Sequence, residues 1–140
     1  MLLVLITIFG FLASSTPAAD NCAVPKTTAA HAAHESPFAC NRLAMTVAER
    51  KRHFEEVGPT LRRLRTGVHE LPNGYAFDFP SDTKTFALVS EWAEQERRCC
   101  PFFDIDIRID HEGGPLSLRL TGRKGTKEFI QADAKDWIRK

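Results

Sequence analysis

The chain has 140 residues, a hydrophobic content of 43%, a charged content of 26% and a formal net charge of +1. That length has room for one domain with a single core. The near-neutral balance gives no pull toward nucleic acid or an anionic membrane. No interleaved aromatic and basic stripe offers a stacking surface for single strands either.

Leu2 to Ala13 is an apolar run broken only by Thr7 and Gly10, and small residues follow it through Ala18 and Ala19. This is the layout of a secretory signal, expected over residues 1–19 with cleavage near Ala18 or Ala19. The run carries no Lys or Arg ahead of it, and Ala19-Asp20-Asn21 before Cys22 does not form a lipobox. It is too short to span a bilayer, which needs ~20 apolar residues. The expected location is therefore periplasmic or secreted, with no stable membrane insertion after the leader is removed. Removal takes no cysteine with it. Cys22, Cys40, Cys99 and Cys100 would all reach an oxidising compartment, where they allow three complete disulfide pairings.

Residues 20–39 are rich in Ala, Thr and Pro without hydrophobic period, and read as a flexible linker. His31 and His34 within it are expected to be solvated rather than ligands, although their spacing suits a metal on one helical face. A single domain is expected over residues 40–140. Thr46-Val47-Ala48-Glu49 is a capping box, so a helix should run from Val47 toward Val57. Gly58-Pro59 should interrupt it, and Leu61 and Leu64 resume it. Val68 to Leu71 and Tyr75 to Phe79 flank Pro72-Asn73-Gly74, a hairpin signal. Tyr75, Phe77 and Phe79 alternate onto one face.

Ser81 is the expected cap of the next helix. Phe86, Val89, Ala93 and Cys100 fall on one stripe of it, and Leu88, Trp92 and Cys99 on the neighbouring one. Pro101 ends it. Asp104 to Asp110 alternates charge with isoleucine and reads as a strand with its isoleucines toward the core. Glu112-Gly113-Gly114-Pro115 turns the chain into a return strand carrying Leu116, Leu118 and Leu120. A last helix is expected from Thr126, carrying Phe129, Ile130, Ala134, Trp137 and Ile138. Two hairpins with one apolar face each bury it most easily as one sheet under the helices. The expected fold is α+β: a two-layer sandwich with a four-stranded antiparallel sheet from two hairpins, packed by about three helices.

The strings Leu71-Pro72-Asn73-Gly74-Tyr75, Glu96-Arg97-Arg98-Cys99-Cys100-Pro101-Phe102 and Gly113-Gly114-Pro115-Leu116-Ser117-Leu118-Arg119-Leu120-Thr121-Gly122 follow a single Cys40 ahead of the first helix. From Cys40 to about Ala132 the chain resembles a family of small, largely uncharacterised bacterial domains with this pattern. Similar domains occur alone and as a tail on regulators of the MerR heavy-metal type. Cys40, Cys99 and Cys100 match the family pattern; Cys22 and the linker histidines do not. This chain has a leader-like start and no DNA-binding helix pair, so a regulator's role is not carried over.

Three chemistries compete for the thiols. Thiolates at Cys40, Cys99 and Cys100 would favour a soft ion such as Hg(II), Cu(I), Zn(II) or As(III), with His53 the best fourth ligand for zinc. Against this, neighbouring side chains on a helix diverge by roughly 100°, and the negative carboxyl end of a helix opposes a thiolate. Alternatively Cys40 pairs with Cys99 or Cys100 and staples a binding module that needs no metal. A thiol enzyme would use Cys99 or Cys100 as nucleophile, His53 as base and Glu96 to orient it. The missing Cys-x-x-Cys, Gly-rich phosphate loop and His-Glu-x-x-His weigh against an enzyme. The expectation is an exported thiol protein whose partner is a metal or metalloid ion, which requires the sulfur of Cys40 to meet those of Cys99 and Cys100.

Overall fold

A computed structural model describes residues 35–139. The expected leader, Cys22, His31 and His34 lie outside the described residues. The fold is the expected α+β sandwich. Four helical segments, α1 (Val47–Lys51), α2 (Gly58–Leu64), α3 (Thr83–Cys99) and α4 (Thr126–Asp133), accompany four strands, β1 (Gly67–Leu71), β2 (Gly74–Phe79), β3 (Phe103–Ile109) and β4 (Leu116–Gly122). The strands form one antiparallel sheet in the order β1-β2-β4-β3. No helix among the described residues is long and apolar enough to cross a membrane.

The two hairpins join through β2 and β4, where Phe77 lies opposite Leu118. Tyr75, Phe77, Phe79, Leu116, Leu118 and Leu120 are buried, as their alternation requires. Val57, Leu61, Val89, Trp92 and Ile130 bury against them from the helical layer. Trp137 joins the layers, 5.4 Å from the ring of Phe77 and 4.7 Å from that of Trp92.

Five local expectations are corrected. The last helix ends at Asp133, and a separate 3-10 turn, Lys135–Trp137, carries Trp137. Gly58-Pro59 does not interrupt the first helix. A π-helical stretch, Arg52–Val57, joins α1 to α2 without a break, and the Gly58 N–H donates to His53 O five residues back. The wider turn carries the chain past Pro59, which has no N–H of its own to place. The cap of α3 is Asp82, not Ser81: its carboxylate accepts from the Lys84 and Thr85 amides, each at 3.0 Å. Phe86 is 42% exposed, while Thr85, Gln95 and Glu96 are buried on α3 in its place. Ile107 and Ile109 are 37% and 56% exposed, because β3 is an edge strand whose far end extends beyond its cover. Only Phe103 and Ile105 of that strand contribute to the core.

Packing begins ahead of Cys40. Phe38 lies 5.1 Å from the ring of Phe102 in an edge contact, and Arg123 sits over its ring at 4.2 Å while donating to Glu35 and to Ser36 O.

Candidate functional site

The site forms where the chain entry meets the carboxyl end of α3. A helix leaves its last carbonyls without intrahelical donors. Here the Asn41 N–H donates to Cys99 O at 2.6 Å. The guanidinium of Arg98, in the last turn of α3, donates to Ala44 O and to the carboxylates of Glu49 (2.9 Å) and Glu94 (3.1 Å). Glu49 also accepts from the Thr46 amide in the capping box that starts α1. The Arg98 hydrogen bond, with help from Thr46, holds the Glu49 carboxyl well below its ordinary range, at about 2. These contacts fix residues 40–49 against α3.

The helix ends between the paired cysteines. Cys99 is its last residue, and Cys100 leaves the helical region with φ −122° and ψ 73°. Pro101 disfavours the helical state for the residue before it. The 100° divergence expected of neighbouring helical side chains therefore does not apply, and both sulfurs turn toward one point. Cys40 arrives at the same place. The three sulfur atoms lie within 4.8 Å of one another. Cys40 and Cys100 are joined as a disulfide across 60 residues, with α-carbons 4.7 Å apart. Cys99 is a free, buried thiol. Cys99 and Cys100 are fully buried, and Cys40 stands at the surface.

Burial pushes the Cys99 thiol up from its ordinary 9.0 to about 11; the Glu96 carboxylate adds to the rise and Arg42 opposes it. The helix carboxyl end acts in the same direction as Glu96. This is the reverse of an activated nucleophile. Cys100 is occupied by its disulfide, so neither candidate nucleophile of the enzyme reading is poised to attack.

His53 is buried beside this point but is not in the sulfur group. Its Nδ1 lies 3.1 Å from Gln95 Oε1 and its Nε2 2.9 Å from Glu96 Oε2. Its ring stacks on Trp92 at 5.4 Å and meets the edge of Phe54 at 4.6 Å. The His53–Glu96 contact expected for the enzyme reading is therefore formed, within a packed cluster. Among the described residues, the three sulfurs are the group of ligand atoms close enough to share an ion.

Gln95 was not anticipated, nor was the cleft of about 220 Å³ that opens beside Cys40 and His53 and reaches Trp92 and Trp137. The signal for Gln95 was present. Trp92, Gln95, Glu96 and Cys99 follow at steps of three and one along α3, a helical face that carries polar residues among apolar ones. The cleft had no such signal, because its walls come from distant segments. Comparison of the chain with family models, with curated proteins and with solved structures finds no match.

Proposed function

We propose that the reduced domain binds a thiophilic ion such as As(III) or Hg(II) through Cys40, Cys99 and Cys100, and that the Cys40–Cys100 disulfide is its closed form. The observation that carries this reading is the convergence of three sulfurs within 4.8 Å. Metal–thiolate bonds are ~2.3 Å, so two sulfurs on one ion lie no more than about 4.6 Å apart, and the group must close by a few tenths of an ångström to share one. Structural zinc takes four ligands, and both nitrogens of His53 are already engaged. The site is therefore suited to an ion content with three sulfurs. A coordinating thiol loses its proton outright, so the high Cys99 value makes uptake depend on pH without forbidding it. Export is part of the proposal. In an oxidising compartment the disulfide persists, and the ion enters when the bond has been reduced or has not yet formed.

The test uses a Cys22→Ser background. The protein is reduced with a phosphine, which is removed, and arsenite or Hg(II) is then added. Native mass spectrometry should show one ion per reduced chain and none on the oxidised chain. Cys40→Ser, Cys99→Ser and Cys100→Ser should each weaken uptake of arsenite. A reduced chain with three alkylatable thiols that takes up neither ion would overturn the reading.

A second reading is a disulfide-stapled binding module without metal. It is favoured by the Cys40–Cys100 bond and the adjoining cleft. It predicts that ligand capture survives in the oxidised chain and is indifferent to Cys99→Ser.

A further inference from the structure

The cleft adjoins the sulfur group at Cys40, which belongs to both, while Cys99 and Cys100 lie behind the cleft wall's residues. The remaining wall is mixed: the rings of Trp92, Phe103, Phe129 and Trp137 line it, and so do the carboxylates of Glu96, Asp133 and Asp136. Its volume is about 220 Å³. An apolar protein cavity of ~150 Å³ is enough to hold benzene. An aromatic ring placed there would meet other rings at their faces and edges, the arrangements such pairs prefer. Arg42 and Arg62 also line the cleft, with their guanidiniums over the rings of Phe54 at 4.1 Å and Trp137 at 6.0 Å.

Resting on the thiophilic reading above, we infer that the site accepts an aryl-substituted trivalent arsenical, with arsenic on sulfur and the ring in this cleft. An aryl group occupies one of the three positions on As(III) and leaves two for sulfur. Cys40 and Cys100 supply them, because their sulfurs approach within bonding distance of each other in the oxidised chain. Cys99 is then dispensable, in contrast to its part in binding arsenite. The disulfide must first be opened. A phosphine does this with water: the phosphine becomes its oxide, the S–S bond breaks, and two thiols form. The hydrated arsenical, an aryl-As(OH)₂, next exchanges both As–O bonds for As–S bonds. The two thiol protons leave with the two hydroxyls as water, and arsenic does not change oxidation state.

Both tryptophans of the chain line the cleft, so tryptophan emission responds to its occupation. The experiment titrates the phosphine-reduced Cys22→Ser chain with hydrated phenylarsine oxide, with its methyl counterpart and with arsenite. A small dithiol serves as the reference for intrinsic arsenic–sulfur affinity. Relative to that reference, the phenyl compound should bind at least tenfold tighter than the methyl compound and should alter tryptophan emission. Cys99→Ser should keep phenyl binding and weaken arsenite binding. Ala134→Phe, which places a ring in the cleft wall, should abolish the phenyl preference and leave arsenite uptake in place. If that variant loses an arsenite uptake that the parent chain shows, it has misfolded, and the unmodified comparison of phenyl with methyl decides. Equal affinities for phenyl and methyl after correction, or unchanged emission, would overturn the inference while arsenite uptake keeps the three-sulfur reading. Tight phenyl binding with uptake of neither arsenite nor Hg(II) would uphold the inference and remove the three-sulfur reading. Failure of all three probes and of Hg(II) would remove both.

Discussion

Cys99 is the residue on which the chemistry of the site depends. It is enclosed, protonated and beside a disulfide, and its thiol is held at about 11 by burial and then by Glu96. Only the thiolate reacts with alkylating agents. In the oxidised protein, alkylation followed at the Cys99 peptide should be slow at pH 8 and rise about tenfold per pH unit toward pH 11. A rate already level at pH 9 would show that the thiol is not held up. The same shift has a consequence for stability. The unfolded chain releases the proton near 9 and the folded chain near 11, so the folded state binds more protons between them. Its contribution is whole below pH 9 and is lost as pH rises toward 11. Glu96 could not have been assigned this part from the sequence. It lies three residues before Cys99, but its approach to that thiol depends on how α3 is buried.

At the scale of elements, the helical run from α1 to α2 shapes the cleft through Gly58. This glycine has ordinary helical angles, φ −56° and ψ −51°, so conformational freedom is not why it is there. A β-carbon at that position would come within 2.9 Å of His53 O, a backbone atom that cannot swing aside, and 3.6 Å from the indole nitrogen of Trp92. Gly58→Ala gains up to about 1 kcal/mol of helix propensity, against overpacking that costs typically ~1–3 kcal/mol. The expected outcome is net destabilisation in urea unfolding, with weakened phenyl-arsenical binding. A stabilised variant would show that the π-helical turn relaxes freely. The turn also marks the limit of reading elements from residues. Rules for Gly and Pro describe what an α-helix refuses, and they are silent on a wider helix that accepts both. The hairpins were legible for the opposite reason. Asn73-Gly74 and the alternation of Tyr75, Phe77 and Phe79 depend on neighbours alone. The isoleucines of β3 have the same alternation, but their exposure depends on strand order, which no single strand encodes.

For the molecule as a whole, the Cys40–Cys100 bond ties the chain entry to the junction of the two layers across 60 residues. Sequence chemistry named the three sulfurs but left their pairing open, since their meeting depends on the fold of everything between them. By chain entropy such a closure contributes about 4 kcal/mol, a large share of the ~5–15 kcal/mol that holds a domain of this size together. Reduction should therefore lower the urea midpoint markedly, while the core around Phe77, Leu118 and Trp92 sustains the fold. Arsenite held by Cys40, Cys99 and Cys100 would tie the same two segments again. Binding to the folded state alone adds about 2.7 kcal/mol when free ligand is 100 times its Kd. Unfolding of the Cys22→Ser chain should thus rank oxidised first, reduced with arsenite next and reduced alone last, with Cys40→Ser abolishing the gain from arsenite. If arsenite leaves the reduced midpoint where it was, the ion does not bridge the entry segment to α3. The bond would then act as a staple and not as the closed form of an ion site.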